Sequence, residues 1–270
     1  GVNSVSKKEE QWIVTTKNEE FVCDHLVIAA GSSNKVWELV KTLDHTIVEP
    51  VPSLFTFNIK DKRIIELLGI SVPNATVNIV GTKLEADGPL LITHWGMSGP
   101  AVLKLSAFGA RILAEKNYQY NVQVNWLSRP TDKVLNVLLN LKKKEPKKTV
   151  ILKSPFSDIP RRLWERLVIA SDIQQHQKWA DLSNVQLEKL ANQLTKGVYN
   201  ANGKSTFKEE FVTAGGIDLK EINFKRFESR KHKNLFFVGE ILNIDAVTGG
   251  FNFQNAWTGG YIAAKAIAEM

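Results

Sequence analysis

Cysteine is almost missing from this chain. Of 270 residues one is Cys, at position 23, so an internal disulfide is excluded and the usage fits a reducing, cytoplasmic setting. Cys23 stands at the start of an apolar strand and reads as packing. The five histidines are scattered and no Cys/His group has the spacing of a metal site, so no metal is expected. Long apolar runs are missing too. None approaches the roughly 20 residues that a helix needs to cross a bilayer, and no charged-then-apolar leader opens the chain. Neither a membrane span nor a signal peptide is expected. The last absence is Gly-x-Gly-x-x-Gly, the strand-to-helix turn that holds a dinucleotide pyrophosphate; no stretch of the sequence contains it.

What is present is a soluble globular composition, 43% hydrophobic and 23% charged, long enough for one large domain or two to three smaller ones. The net charge of +7 has a location. Residues 128–197 carry 14 Lys/Arg against 7 Asp/Glu, and the rest of the chain carries 21 of each. Such a segment can mark nucleic acid or an acidic partner. Aromatics are not interleaved with its lysines as stacking recognition would want. A solvated helical face is therefore the favoured reading, and nucleic acid is not the expected partner.

Along the chain, Gln11–Thr16 and Glu20–Cys23 read as a hairpin. Leu26–Ala30 reads as a buried strand ended by Gly31-Ser32-Ser33, and a helix follows around Trp37–Val40. Pro50-Val51-Pro52 marks a boundary. Strand-like runs at Leu54–Ile59, Thr76–Val80, Leu90–Thr93 and Gln119–Trp126 predict a small antiparallel barrel or sandwich. A helix is predicted over Ala101–Ala114, opened by Pro100 with Ser98 as a candidate cap. From Ser128 to Gly197 the period becomes helical: Thr131–Lys143 with Thr131 or Asp132 as cap, Arg161–Ala170 after Pro160, and Asn184–Thr195 capped by Ser183. Strands return at Val198–Asn200 and Ser205–Thr213.

The most informative stretch is Leu235–Tyr261. Leu235–Val238 suits a strand buried on both faces. Gly239-Glu240 turns its end, a polar loop follows, and Gly249-Gly250 precedes a helix running through Asn252, Gln254 and Trp257 to the C-terminus. Glycines at a helix start let a ligand approach bare N–H groups, and the positive helix end suits an electron-rich oxygen. A plain tight turn accounts for the same residues equally well. His94, in Thr93–Pro100, is the histidine whose imidazole could move a proton near neutral pH; the structural alternative is a hydrogen bond tying its corner to the neighbouring domain.

Gly239-Glu240, Gly249–Gln254 and Ala256-Trp257, together with Thr93-His94-Trp95-Gly96-Met97-Ser98-Gly99-Pro100, resemble in order and spacing the motifs of the BaiN/YhiN-type flavoproteins, a family of NAD(P)/FAD-dependent oxidoreductases that includes enzymes described as aminoacetone oxidases. Thr213–Ile217 and Phe227–Arg230 resemble further elements of that family, and Leu26–Ser32 resembles the apolar-Ala-Thr-Gly segment of two-dinucleotide-binding flavoproteins. Asn243, Ala246 and Ala30 depart from these patterns, where Asp, Gly and Thr are usual. The resemblance implies FAD contacts from Ala29, Ala30, Gly31, Gly239, Glu240, Gly249, Gly250, Phe251, Asn252 and Gln254. It implies weaker catalytic candidates at His94 and Ser98, NAD(P)H as a possible electron donor, and a small-molecule substrate. It also implies an α/β, multidomain fold. A partial FAD-binding Rossmann-like domain spans 1–46 and 214–270, an inserted β-barrel or sandwich spans 47–127 and 198–213, and a basic helical insertion spans 128–197. The missing pyrophosphate turn makes the chain read as the C-terminal portion of such an oxidoreductase. Its partner would be the absent N-terminal half of the FAD domain, and weak or no FAD binding and no turnover are expected of this piece alone. The alternative is a non-catalytic binding module whose basic insertion contacts nucleic acid or an acidic partner.

Overall fold

The computed structural model describes residues 1–205, 212–247 and 250–270. The chain begins with an antiparallel three-stranded sheet, β1 (Val2–Lys8), β2 (Gln11–Thr16) and β3 (Glu20–Cys23). Thr16 closes the expected hairpin: its Oγ1 donates to Glu19 O at 3.0 Å. Then come β4 (Leu26–Ile28), α1 (Asn34–Lys41) and β5 (Ile47–Ser53). Pro50-Val51-Pro52 stands just before the division between the two compact units, which falls between Ser53 and Leu54. The tripeptide lies within β5, which has one strand neighbour among the described residues, and a strand paired on one side tolerates the lost N–H groups.

Next is a closed six-stranded barrel. Its strands are β6 (Thr56–Ile59), β7 (Ser71–Ile79), β8 (Glu85–Ile92), β9 (Gly96–Ser98), β10 (Gln119–Asn125) and, after an excursion, β11 (Gly197–Ser205), in the order β10-β11-β6-β9-β8-β7. Alternation turns Tyr120, Val122 and Val124 of β10 inward, with Val77 and Ile79 of β7. The helix expected over Ala101–Ala114 is two, α2 (Pro100–Phe108) and α3 (Ala110–Glu115). They part at Gly109, where a Cβ would come within 2.9 Å of Leu105 O. The excursion between β10 and β11 carries α4 (Thr131–Lys144), α5 (Arg161–Ile169) and α6 (Asn184–Thr195). Ser183 caps α6 in a capping box with Gln186. α4 has Pro130 at its cap and no side-chain cap bond, so neither Thr131 nor Asp132 serves there. Leu138 of α4, Trp164 of α5 and Leu190 of α6 join one continuous apolar core with the barrel's Val122 and Val124. At the root of the excursion, Trp126 Nε1 donates to Tyr199 OH at 3.1 Å, and the Arg63 guanidinium lies 3.8 Å from the Tyr199 ring centroid.

The chain then returns through β12 (Val212–Ile217), which pairs with β5, β13 (Ile222–Asn223), β14 (Glu228–Ser229), β15 (Leu235–Phe237) and α7 (Phe251–Ala268). Most of the strand expected over Ser205–Thr213 falls on residues 206–211, outside the described residues. The molecule is a mixed α/β protein of two compact units. One comprises Gly1–Ser53 and Val212–Met270; the other is Leu54–Phe211, with the barrel and α4–α6. The first has its own core around Trp12, Trp37, Phe236, Phe237 and Ile241.

Candidate functional site

In the first unit, β15 runs parallel to β4, Leu235 opposite Leu26 and Phe237 opposite Ile28. Val238 N–H still reaches Ile28 O at 3.2 Å, so both strands end together. Ala29-Ala30-Gly31 and Gly239-Glu240, some 200 positions apart in sequence, therefore lie at the carboxyl ends of one parallel pair. In open α/β sheets that is the edge where ligands bind. Ala29 and Ala30 are exposed there. Gly31 has φ +62 and open space where a side chain would stand. Gly239, with φ +76, starts a single 3-10 turn to Ile241, whose carbonyl accepts the Trp37 indole N–H at 3.0 Å. A Cβ on Gly239 would stand 3.6 Å from that of Ala256, so the corner abuts α7.

Gly250 caps α7, left-handed at φ +86 and again with nothing beside it. Only glycine adopts this backbone without strain. Gly249 lies outside the described residues. The N–H groups of Phe251, Asn252 and Phe253 begin the helix and have no intrahelical acceptor. The Asn252 side chain is committed locally: Oδ1 accepts Ala246 N–H at 2.9 Å and Nδ2 donates to Ala246 O at 3.2 Å. It folds the preceding loop back onto the helix start, leaving its backbone as the part a ligand can use. Gln254 Nε2 donates to Thr258 Oγ1 at 3.0 Å. Phe251, Phe253 and Trp257 are exposed, and the last two stack with centroids 6.1 Å apart.

In the barrel unit, Thr93–Pro100 is the turn between β8 and β9 and the entry to α2. Its glycines are dictated by packing. A Cβ on Gly96 would sit 2.3 Å from Phe57 O, and one on Gly99 2.8 Å from Pro89 O. Gly99, not Ser98, caps α2; the Ser98 hydroxyl instead accepts from Thr56 Oγ1 at 3.1 Å. His94 is exposed and lines a cavity of about 540 Å³ with Lys60, Glu66 and Thr93.

One cluster escaped the sequence reading. His45, 3% exposed, places Nδ1 2.6 Å from Glu221 Oε2 and Nε2 3.0 Å from Ser229 Oγ. Lys231 Nζ and Thr46 N–H also donate to Glu221, and the N–H groups of Lys231 and His232 donate to Ser229 Oγ. Burial lowers the His45 pKa below its ordinary value, outweighing Glu221. Burial also opposes ionisation of Glu221, but the bonds from Lys231, Thr46 and His45 together prevail and hold its carboxyl down at about 2. A neutral imidazole donating to Glu221 and accepting from Ser229 satisfies every partner. With the Ser229 oxygen fully engaged, the trio pins the α1–β5 connection to the segment around β14. No local signal announces it, because its members are about 180 positions apart. Among the described residues no group of His, Cys, Asp or Glu could hold a metal ion, and no helix is long and apolar enough to cross a membrane.

Two features define the class of protein: a closed barrel with a helical excursion in one unit, and in the other a parallel strand pair whose carboxyl ends and helix start present bare backbone. Residues 51–212 match the family model described as HI0933-like protein barrel and H2TH domain, and the chain belongs to that family. It is 28% identical over 272 residues to a ribosomal RNA dihydrouridine synthase of Haemophilus influenzae, which covers 96% of this chain and 64% of that protein. A protein of the same name from Escherichia coli is 28% identical over 98% of this chain and 66% of its own length. A 3-dehydro-bile acid delta(4,6)-reductase of Clostridium scindens is 24% identical over 99% and 68%. The chain thus spans about two thirds of the length of these curated relatives.

Proposed function

We propose that this chain is part of a flavin-dependent reductase that adds hydrogen across a carbon–carbon double bond conjugated to a carbonyl, with uridine in RNA as the substrate. The relatives' names describe one chemistry on two molecules. Dihydrouridine is uridine reduced at the ring double bond next to a carbonyl, and a 3-dehydro-delta(4,6) bile acid carries double bonds conjugated to its 3-oxo group. The observation that carries the reading is the pair of positive-φ glycines, Gly31 and Gly250, with open space where side chains would stand. The space suits a flat, oxygen-rich ring system brought close to backbone. FAD would supply hydride to the double bond, with NAD(P)H as the ultimate donor. The N–H groups of Phe251, Asn252 and Phe253 would stabilise negative charge on an electron-rich carbonyl edge. Ala29, Ala30 and Gly31 would allow close approach, and Glu240 would accept from ribityl or ribose hydroxyls. His94 and Ser98 are the candidates for the substrate side by residue type.

No Gly-x-Gly-x-x-Gly is present, so the pyrophosphate cradle would come from a part of the parent that this chain does not include. The test is absorbance near about 450 nm, where bound flavin absorbs, after adding FAD and desalting. The expected outcome is a band retained by the longer parent and weak or absent in this chain. No band in the parent would remove the flavin assignment.

A further inference from the structure

Part of the excess charge of the chain lies at one groove of the barrel unit. α4 ends in Lys142-Lys143-Lys144, and between residues 143 and 153 five lysines face one acid, Glu145. Lys147, Lys148 and Lys153 line a groove of about 510 Å³, with Thr149 and Ser154 at its wall and exposed Leu152 beside them. Glu145 holds Lys148 at 2.9 Å. Lys143, Lys144, Lys147 and Lys153 are exposed, and among the described residues none has a carboxylate within salt-bridge distance.

The segment that carries them is tied down by backbone hydrogen bonds. Ala180 N–H donates to Pro146 O, Trp179 N–H to Lys148 O and Val150 N–H to Gln177 O, each at 3.0 Å. Beneath, Trp179 is buried and the Trp164 indole donates to Val150 O at 2.9 Å. Like charges crowded on a fixed backbone repel one another, and an anion relieves that repulsion without an ordering cost. The groove presents no exposed aromatic for a base to stack on. Lysines on a fixed ridge hold phosphates and set register, whereas base edges or stacking would be needed to read sequence.

Resting on the RNA-uridine reading above, we infer that the groove of Lys147, Lys148 and Lys153 is a sequence-independent seat for the phosphate backbone of the RNA substrate, extended by Lys143 and Lys144. The unit that carries it is thus a docking element for the nucleic acid and not only a scaffold. Occupancy by RNA is favoured over an acidic protein because lysines dominate the charge and the groove offers one large exposed apolar side chain, Leu152, and no exposed aromatic anchor of the kind a protein partner uses.

The test uses the 270-residue chain and a fluorescently labelled RNA hairpin of about 20 nucleotides, with anisotropy followed across salt. The variant Lys147→Gln/Lys148→Gln/Lys153→Gln is compared with Lys8→Gln/Lys17→Gln/Lys233→Gln, which removes the same charge from exposed positions of the other unit. The groove variant should bind at least about tenfold more weakly at ~0.1 M salt, and its log–log salt slope should fall by about 2 to 3. The control should bind nearly as the wild type, and both variants should melt as the wild type does. Equal loss in the two variants, or none in the groove variant, overturns the inference. So does competition by polyglutamate as effective as that by unlabelled RNA. Because the readout is binding, its failure leaves the flavin test untouched: the longer parent carrying the groove substitutions should keep its absorbance band.

Discussion

His45 shows how far one buried residue can bias the whole fold. Its pKa is lowered from an ordinary 6.5 by burial among Glu221, Lys231 and His232. Below pH 6.5 the unfolded chain takes up a proton at this position before the folded one does, so stability falls as pH drops. Glu221 acts in the same direction further down. Its carboxyl is held at about 2, below the ordinary 4.5, so its contribution is present above pH 4.5 and fades as pH falls toward 2. The expected outcome is a melting temperature that declines as pH goes from about 7 to about 5. His45→Gln, which loses the charge change, should be less stable at neutral pH and decline less over that window. Parallel curves for the two proteins would show that His45 is not the titrating group. The glycines separate into two kinds. Gly250 has a positive φ and open surroundings, so Gly250→Ala should cost about 1–2 kcal/mol and, on the flavin reading proposed above, weaken flavin retention. At Gly216 a Cβ would meet Ile241 O at 2.5 Å. Gly216→Ala should exceed about 4 kcal/mol or fail to fold, as thermal melts of the pair would show.

At the scale of elements, patterns of period two and 3.6 were readable wherever one face is buried. The hairpin of β2 and β3, the barrel strand β10 and the capped helix α6 follow from residues within a few positions of one another. The misreadings came where partners decide. Pro50-Val51-Pro52 reads as a boundary and the two units do part just after it, between Ser53 and Leu54, yet the prolines themselves lie inside β5, which among the described residues pairs on one side only. Ser98 looked like a cap, yet its hydroxyl is taken by Thr56 on the neighbouring strand β6. The helical excursion has no core of its own separate from the barrel; Leu138 and Leu190, both fully buried, belong to the barrel's cluster. Leu138→Ala should therefore cost about 2–5 kcal/mol and lower barrel and helices together. Far-UV circular dichroism and the fluorescence of Trp126, Trp164 and Trp179 should shift as one transition. Fluorescence moving ahead of the far-UV signal would mean the helices unfold alone.

At the scale of the whole molecule, the sequence by itself determined the class of fold, the sites of obligatory turns, the family likeness and the place of the excess positive charge. All of these depend on neighbours along the chain or on composition. Tertiary structure decided what those residues are near. Parallel pairing of β4 and β15 brings Ala29–Gly31 to Gly239–Glu240, and no local pattern encodes a partner two hundred residues away, since strand pairing is closed by non-local hydrogen bonds. The same reason hid the His45–Glu221–Ser229 trio. It also turned a run of lysines that resembles a solvated face into the wall of a groove: exposure is a property of one helix, but a cavity exists only where several segments have packed.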